Sequence, residues 1–158
     1  MGLGDVLSSH RVVVTVGSGG VGKTTTAAAM AVHAAMQGRK VLCLTIDPAR
    51  RLANSLGLDE MTTSEQDVPA TLFQNNGLEC KGALSAMMLD TKRTFDALVE
   101  KYASDEEARD RILDNPIYPD VASSLAGTQE YMAMEKLHEG RKDPKWDLVV
   151  LDTPPTAS

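Results

Sequence analysis

The segment Gly17-Ser18-Gly19-Gly20-Val21-Gly22-Lys23-Thr24 constrains this chain more than any other. It fits G-x-x-x-x-G-K-[ST], a pattern that needs a strand before it and a helix after it. Upstream, Arg11-Val12-Val13-Val14-Thr15-Val16 is a β-branched run with the composition of a strand buried on both faces. Downstream, Lys23 to Gln37 is Ala-rich and reads as a helix, with Gly38 where helices stop. Glycines let the backbone curl until consecutive N–H groups converge on an anion, and a helix starting at Lys23 adds the positive end of its dipole. Lys23 then has the reach for β- and γ-phosphate oxygens, and the Thr24 hydroxyl is placed to bind Mg²⁺. The expected nucleotide-binding residues are Gly19, Gly20, Val21, Gly22, Lys23, Thr24 and Thr25. The plain alternative is a Gly-rich turn with an accidental lysine.

The rest of the chain continues the alternation. Lys40 to Ile46 is a second apolar strand ended by Asp47-Pro48, so strand, helix and strand form a βαβ unit with parallel strands. The pattern weakens from Ala49 to Asn76, with a short helix over Arg50 to Leu56 and an exposed loop over Thr62 to Val68. Leu84 to Leu89 reads as a strand and Thr91 to Ala103 as an amphipathic helix. Ser104 caps a further helix that runs to Leu113, and Asn115-Pro116 ends it. A helix from Leu125 or Thr128 to Glu139 stops at Gly140, and Trp146 to Asp152 is a last buried strand. The expected fold is α/β, a mainly parallel sheet flanked by helices. Ligands of such sheets bind at the carboxyl ends of the strands, here Gly17 to Thr24, Asp47, Asp90 and Asp152.

Two of these carboxylates fit phosphoryl chemistry. Asp152, ending an apolar strand, can hold the same Mg²⁺ as Thr24 if its strand lies beside the first. Asp47 can face a γ-phosphate and orient or deprotonate the attacking water. It can equally serve as an N-cap for the helix that follows Pro48, and both roles can hold at once.

Composition removes other classes. The 158 residues carry 16 Lys and Arg against 22 Asp and Glu, a net charge of −6, which argues against nucleic acid or an anionic membrane as the default partner. Cys43 and Cys80 are too far apart for a C-x-x-C site and read as reduced thiols. The N-terminus lacks a secretory pattern, and the longest uncharged run, Thr24 to Gly38, is too short and polar to span a bilayer. The chain therefore reads as cytoplasmic, with no integral membrane segment.

Ser18 to Thr25, Asp47-Pro48-Ala49-Arg50-Arg51-Leu52-Ala53 and Asp152-Thr153-Pro154-Pro155-Thr156 resemble, in order, the phosphate loop, switch I and switch II of a known family. These are the arsenical pump-driving ATPases and their relatives that target tail-anchored membrane proteins. Leu125 to Glu130 is similar to the family's Pro-Gly-x-x-Glu segment, with Ala126 in place of Pro. The resemblance implies a P-loop NTPase fold, Mg²⁺-dependent ATP hydrolysis and a homodimer with its nucleotides at or near the subunit interface. It also implies that Asp47 activates water, with Lys23 as the other catalytic residue, and that Thr24 and Asp152 are the metal residues. Partners implied are a membrane-protein client or a membrane pump subunit. Residues 1–158 correspond to the N-terminal part of one such domain, ending after the switch II strand.

The departures matter as well. Ser18 stands where the family's loop often carries a second lysine that reaches across the dimer, and serine cannot supply that charge. Arg50 or Arg51 is a replacement cation, or both lie on a solvated helix face. Ala157-Ser158 follow Thr156, where the family commonly has Gly-His. No zinc or metalloid cysteines are recognisable, and His10, His33 and His138 lack ligand spacing. Met87, Met88, Met132 and Met134 read as core packing or as a pliable surface for an apolar client. Two other functions compete: a partition or division-site ATPase, and a module that binds nucleotide without hydrolysing it.

Overall fold

Apolar runs too short to bury themselves must pair, and in the computed structural model, which describes residues 2–46, 51–124 and 128–154, they form a five-stranded sheet. The strands are β1 (Val12–Thr15), β2 (Lys40–Thr45), β3 (Gln66–Asp67), β4 (Ala83–Met88) and β5 (Leu148–Asp152). Their order is β1-β5-β2-β4-β3, with every pairing parallel except the antiparallel β3 and β4. The helices are α1 (Leu3–Ser9), α2 (Lys23–Met36), α3 (Arg51–Leu56), α4 (Ala70–Asn75), α5 (Thr91–Tyr102), α6 (Glu106–Leu113), α7 (Tyr118–Ser124) and α8 (Thr128–Lys142). The α/β class and the mainly parallel sheet are as the sequence implies.

The chain divides into two compact units, Met1–Met88 with Leu137–Ser158, and Leu89–Lys136. In the first, the alanines of α2 explain its seat on the sheet. Ala27, Ala31 and Ala35 are fully buried in one cluster with Val41, Cys43, Leu148 and Val150, and side chains this small let a helix approach closely. On the opposite face α8 does the same with a glycine. A Cβ on Gly140 would lie 3.2 Å from Val149 Cγ2, so the helix runs past Gly140 instead of stopping there as its sequence implies.

Three other expectations are corrected. β1 is not buried on both faces: it is an edge strand of the sheet, and Val14 is 39% exposed. Thr62 to Val68 is not all exposed loop, because Gln66 and Asp67 pair with β4 and Val68 enters the core. Ser85 Oγ donates to Asp67 Oδ1 at 2.6 Å and fixes that edge. The cap of α6 is Asp105, not Ser104: its carboxylate accepts from Ala108 N at 2.7 Å, while Ser104 Oγ donates to Asp105.

The second unit is helical. Tyr118 packs against Phe95 with the rings tilted by 59° and their centroids 5.6 Å apart, and its hydroxyl donates to Asp96 at 2.6 Å, tying α7 to α5. Burial raises the affinity of the Asp96 carboxyl for its proton, yet hydrogen bonds from Lys92 and Tyr118 outweigh it and hold the group below the usual carboxylate range. Burial, and after it the contact with Asp96, push the Tyr118 phenol up. Met87 and Met132 are buried, Met88 is half-buried and Met134 is exposed. No helix among the described residues is long and apolar enough to cross a membrane.

Candidate functional site

The carboxyl ends of β1, β5 and β2 lie side by side, and the chain leaving β1 turns directly into α2. Gly20 and Gly22 carry φ of 77° and 85°, left-handed conformations that favour glycine, and Gly22 is the residue from which α2 starts. Both glycines lie in the segment between β1 and α2 that carries the motif. The first turn of α2 contains no acidic residue, so its exposed N–H groups face no competing anion of their own helix. Lys23 lies back over the loop: its Nζ donates to Ser18 O at 2.8 Å. Ser18 itself is exposed, as are Gly19, Gly20, Val21 and Thr25.

Asp152 is completely buried at the end of β5. Thr24 Oγ1, from the first turn of α2, donates to its Oδ2 at 2.8 Å. The two residues are 128 positions apart, and what joins them is the insertion of β5 beside β1. Thr45 Oγ1 donates to the same Oδ2 at 3.3 Å, and Thr15 Oγ1 lies 3.4 Å from Oδ1 and 3.2 Å from Leu151 O. A charged carboxylate is costly to bury without partners, and these hydroxyls take the place of a counter-ion. Thr153 Oγ1 donates to Thr15 O at 2.6 Å and ties the chain leaving β5 to β1. Below Thr45 on β2, burial and then the Asp152 charge push the Cys43 thiol up, so it stays protonated and inert. Cys43 and Cys80 are both free thiols.

These residues fit a hard divalent cation. The Thr24 hydroxyl has one proton, already given to Asp152, and keeps its lone pairs for a metal. Hydroxyl and carboxylate oxygens are the donors Mg²⁺ takes. Asp47, Pro48, Ala49 and Arg50 lie outside the described residues, as do Leu125 to Gly127 and Pro155 to Ser158. Arg51 is exposed at the start of α3. Asp90, at the fourth strand end, is the N-cap of α5, accepting from Arg93 N at 2.9 Å. Among the described residues no group of three or more His, Cys, Asp or Glu side chains is arranged to hold a metal.

Thr15 and Thr45 belong to none of the sequence motifs. Their signal is positional: β1, β2 and β5 are otherwise almost wholly apolar, and each ends on a polar residue able to hydrogen-bond, Thr15, Thr45 or Asp152.

The family described as anion-transporting ATPase matches residues 10–158. Protein Rv2184c of Mycobacterium tuberculosis is 33% identical over 152 residues, covering 93% of this chain and 35% of its own length. ATPase GET3 of Malassezia globosa is 31% identical over 140 residues, covering 89% and 38%. ATPase ASNA1 homolog 1 of Paramecium tetraurelia is 28% identical over 144 residues, covering 89% and 39%. The chain thus spans 35% to 39% of the length of these relatives.

Proposed function

The chain belongs to the anion-transporting ATPase family, and we propose that it is the nucleotide-binding part of a Mg²⁺-dependent ATPase that hydrolyses ATP to ADP and phosphate. The observation that carries this reading is the 2.8 Å bond between Thr24, in the first turn of α2, and Asp152, on the strand beside β1. Thr24 and Asp152 would hold Mg²⁺, which when bound withdraws charge from the phosphate oxygens. Lys23 leaves Ser18 O and places its ammonium among the phosphates. The amides of Gly19 to Thr25 and the start of α2 neutralise the remaining charge. Asp47 orients the attacking water and takes its proton, a role that rests on its place after β2 in the sequence.

The wider setting follows the resemblance of the three motifs: a cytoplasmic homodimer whose cycle serves a membrane-protein client or a membrane pump subunit. The description of the matching family, anion-transporting ATPase, supports the pump side. Arg50 or Arg51 remains the proposed substitute for the cation that Ser18 cannot provide.

Two variants of the full chain test the reaction. Lys23→Ala should weaken ATP binding at least a hundredfold. Asp47→Asn should leave binding within about threefold and lower turnover by 10² or more, the scale of a lost general base. ATP binding without turnover in the parent chain, unaltered by Asp47→Asn, would instead identify a non-hydrolysing module.

A further inference from the structure

The row Thr15, Asp152, Thr45 crosses three adjacent strands in register: Asp152 pairs with Thr15 on β1 and with Thr45 on β2. All three side chains are buried, at 8%, 0% and 2% exposure. Two residues earlier the same row is Val13, Val150 and Cys43, and the next is Leu148 and Val41, all of them in or against the apolar cluster beneath α2. Val would fill the space of either threonine without bringing a buried hydroxyl, so shape does not account for the two threonines. What their hydroxyls meet does: Thr45 bonds Oδ2 and Thr15 reaches Oδ1, one from each side of the carboxylate.

A carboxylate held by Thr24 alone would be free to turn about its own side-chain bonds. Donors on both oxygens from the two neighbouring strands fix its plane, with Oδ2 toward α2. We propose that Thr15 and Thr45 are positioning residues that hold Asp152 in the orientation in which it accepts from Thr24, and thereby set the affinity of the site for its divalent cation. This deepens the reading of Thr24 and Asp152 as the metal pair and rests on it. Thr45 carries the larger share, because it bonds the oxygen that Thr24 uses, at 3.3 Å, whereas Thr15 lies 3.4 Å from the other oxygen.

The test uses Mn²⁺ as the probe, titrated by electron paramagnetic resonance into the full chain saturated with a slowly hydrolysed ATP analogue. Thr45→Val should weaken Mn²⁺ binding about tenfold, the low end for a bond to a charged group and equal to about 1.4 kcal/mol. Thr45→Ser, which restores the hydroxyl, should stay within about threefold of the parent, and Thr15→Val should fall between. Metal-free affinity for the analogue should change by less than about twofold in all three. The proposal is overturned if Thr45→Val and Thr15→Val both bind Mn²⁺ like the parent, or if Thr45→Ser is as weak as Thr45→Val. Asp152→Asn separates this from the underlying reading. If Asp152→Asn binds Mn²⁺ like the parent, the metal pair itself is wrong; if it binds weakly while the threonine variants do not, only the positioning role fails.

Discussion

Replacing Thr24 with Val isolates the bond that joins the phosphate loop to β5. Valine has the same branched shape and a similar helix propensity, so neither a cavity nor a helix penalty enters. What is lost is one hydroxyl donor, 2.8 Å from the Oδ2 of a fully buried carboxylate. Bonds to charged groups contribute about 1.5–3 kcal/mol, and because Thr24 is itself only partly buried the lower half, about 1.5–2 kcal/mol, applies. For a chain of this size each kcal/mol moves the melting temperature by about 2–4 °C, so a fall of about 3–8 °C is expected. The single tryptophan, Trp146, is 3% exposed two residues before β5 and reports the unfolding of that strand by fluorescence. Melts belong in EDTA, so that a lost metal cannot be mistaken for a lost hydrogen bond. Combining Thr24→Val with Asp152→Asn closes a double-mutant cycle, and a coupling of at least about 1 kcal/mol is expected for residues in contact. A Thr24→Val melt within about 1 °C of the parent in EDTA would refute the claim that this hydroxyl sustains the buried charge.

Gly82→Ala should cost about 1–3 kcal/mol in urea unfolding followed at Trp146, because the new Cβ would overlap the Arg39 carbonyl, where Gly82 N bonds Ala35 O at 2.8 Å. An unchanged midpoint would mean that the chain has slack where it enters β2 and β4. Tyr118→Phe should lower stability at pH 7 by about 1 kcal/mol, measured by circular dichroism in urea. Its pH dependence has a definite sign. The carboxyl of Asp96 is held below its usual range in the folded chain, so its contribution is present above the unfolded value of about 3.9 and is lost as pH falls through the lower folded value. The difference between Tyr118→Phe and the parent should therefore shrink below about pH 4; a difference constant down to pH 2 would show that Asp96 is not the partner that matters.

What the sequence makes legible here is what local chemistry decides. Strands β1, β2, β4 and β5 and helix α2 appear as apolar runs between glycine, proline and aspartate, and the loop between β1 and α2 is a fixed spacing. What it conceals depends on partners far along the chain. Gln66 and Asp67 form a strand only because β4 offers an edge to pair with, and their own composition favours a loop. Gly140 obeys the general expectation for a helix end until Val149 is placed beneath it. Helices α1, α4 and α7 have seven residues or fewer, too few to show a period. Thr15 and Thr45 stand out only as polar residues that end apolar strands, and it takes the pairing of β5 with β1 and β2 to show that each stands opposite Asp152.

That opposition raises the question of what fixes the register of β5. A strand buried on one face is registered by its alternation, since slipping by one residue would turn its apolar side outward. β5 has no such safeguard, because all five of its residues are buried and an apolar residue suits either face. The register is instead held by polar contacts at its two ends. At the start, Asp147 N donates to Lys40 O and Asp147 Oδ2 accepts from Lys40 N, both at 2.8 Å. Arg39 donates to Asp147 O and Arg11 Nη2 to Trp146 O. At the far end Thr153 Oγ1 bonds Thr15 O. A slip of one residue would carry Asp152 to the α8 face of the sheet, away from Thr24, at the cost of every one of these bonds. The residues that place the carboxylate under the phosphate loop therefore include Arg11, Arg39, Lys40 and Asp147, a strand's length from it and outside any motif.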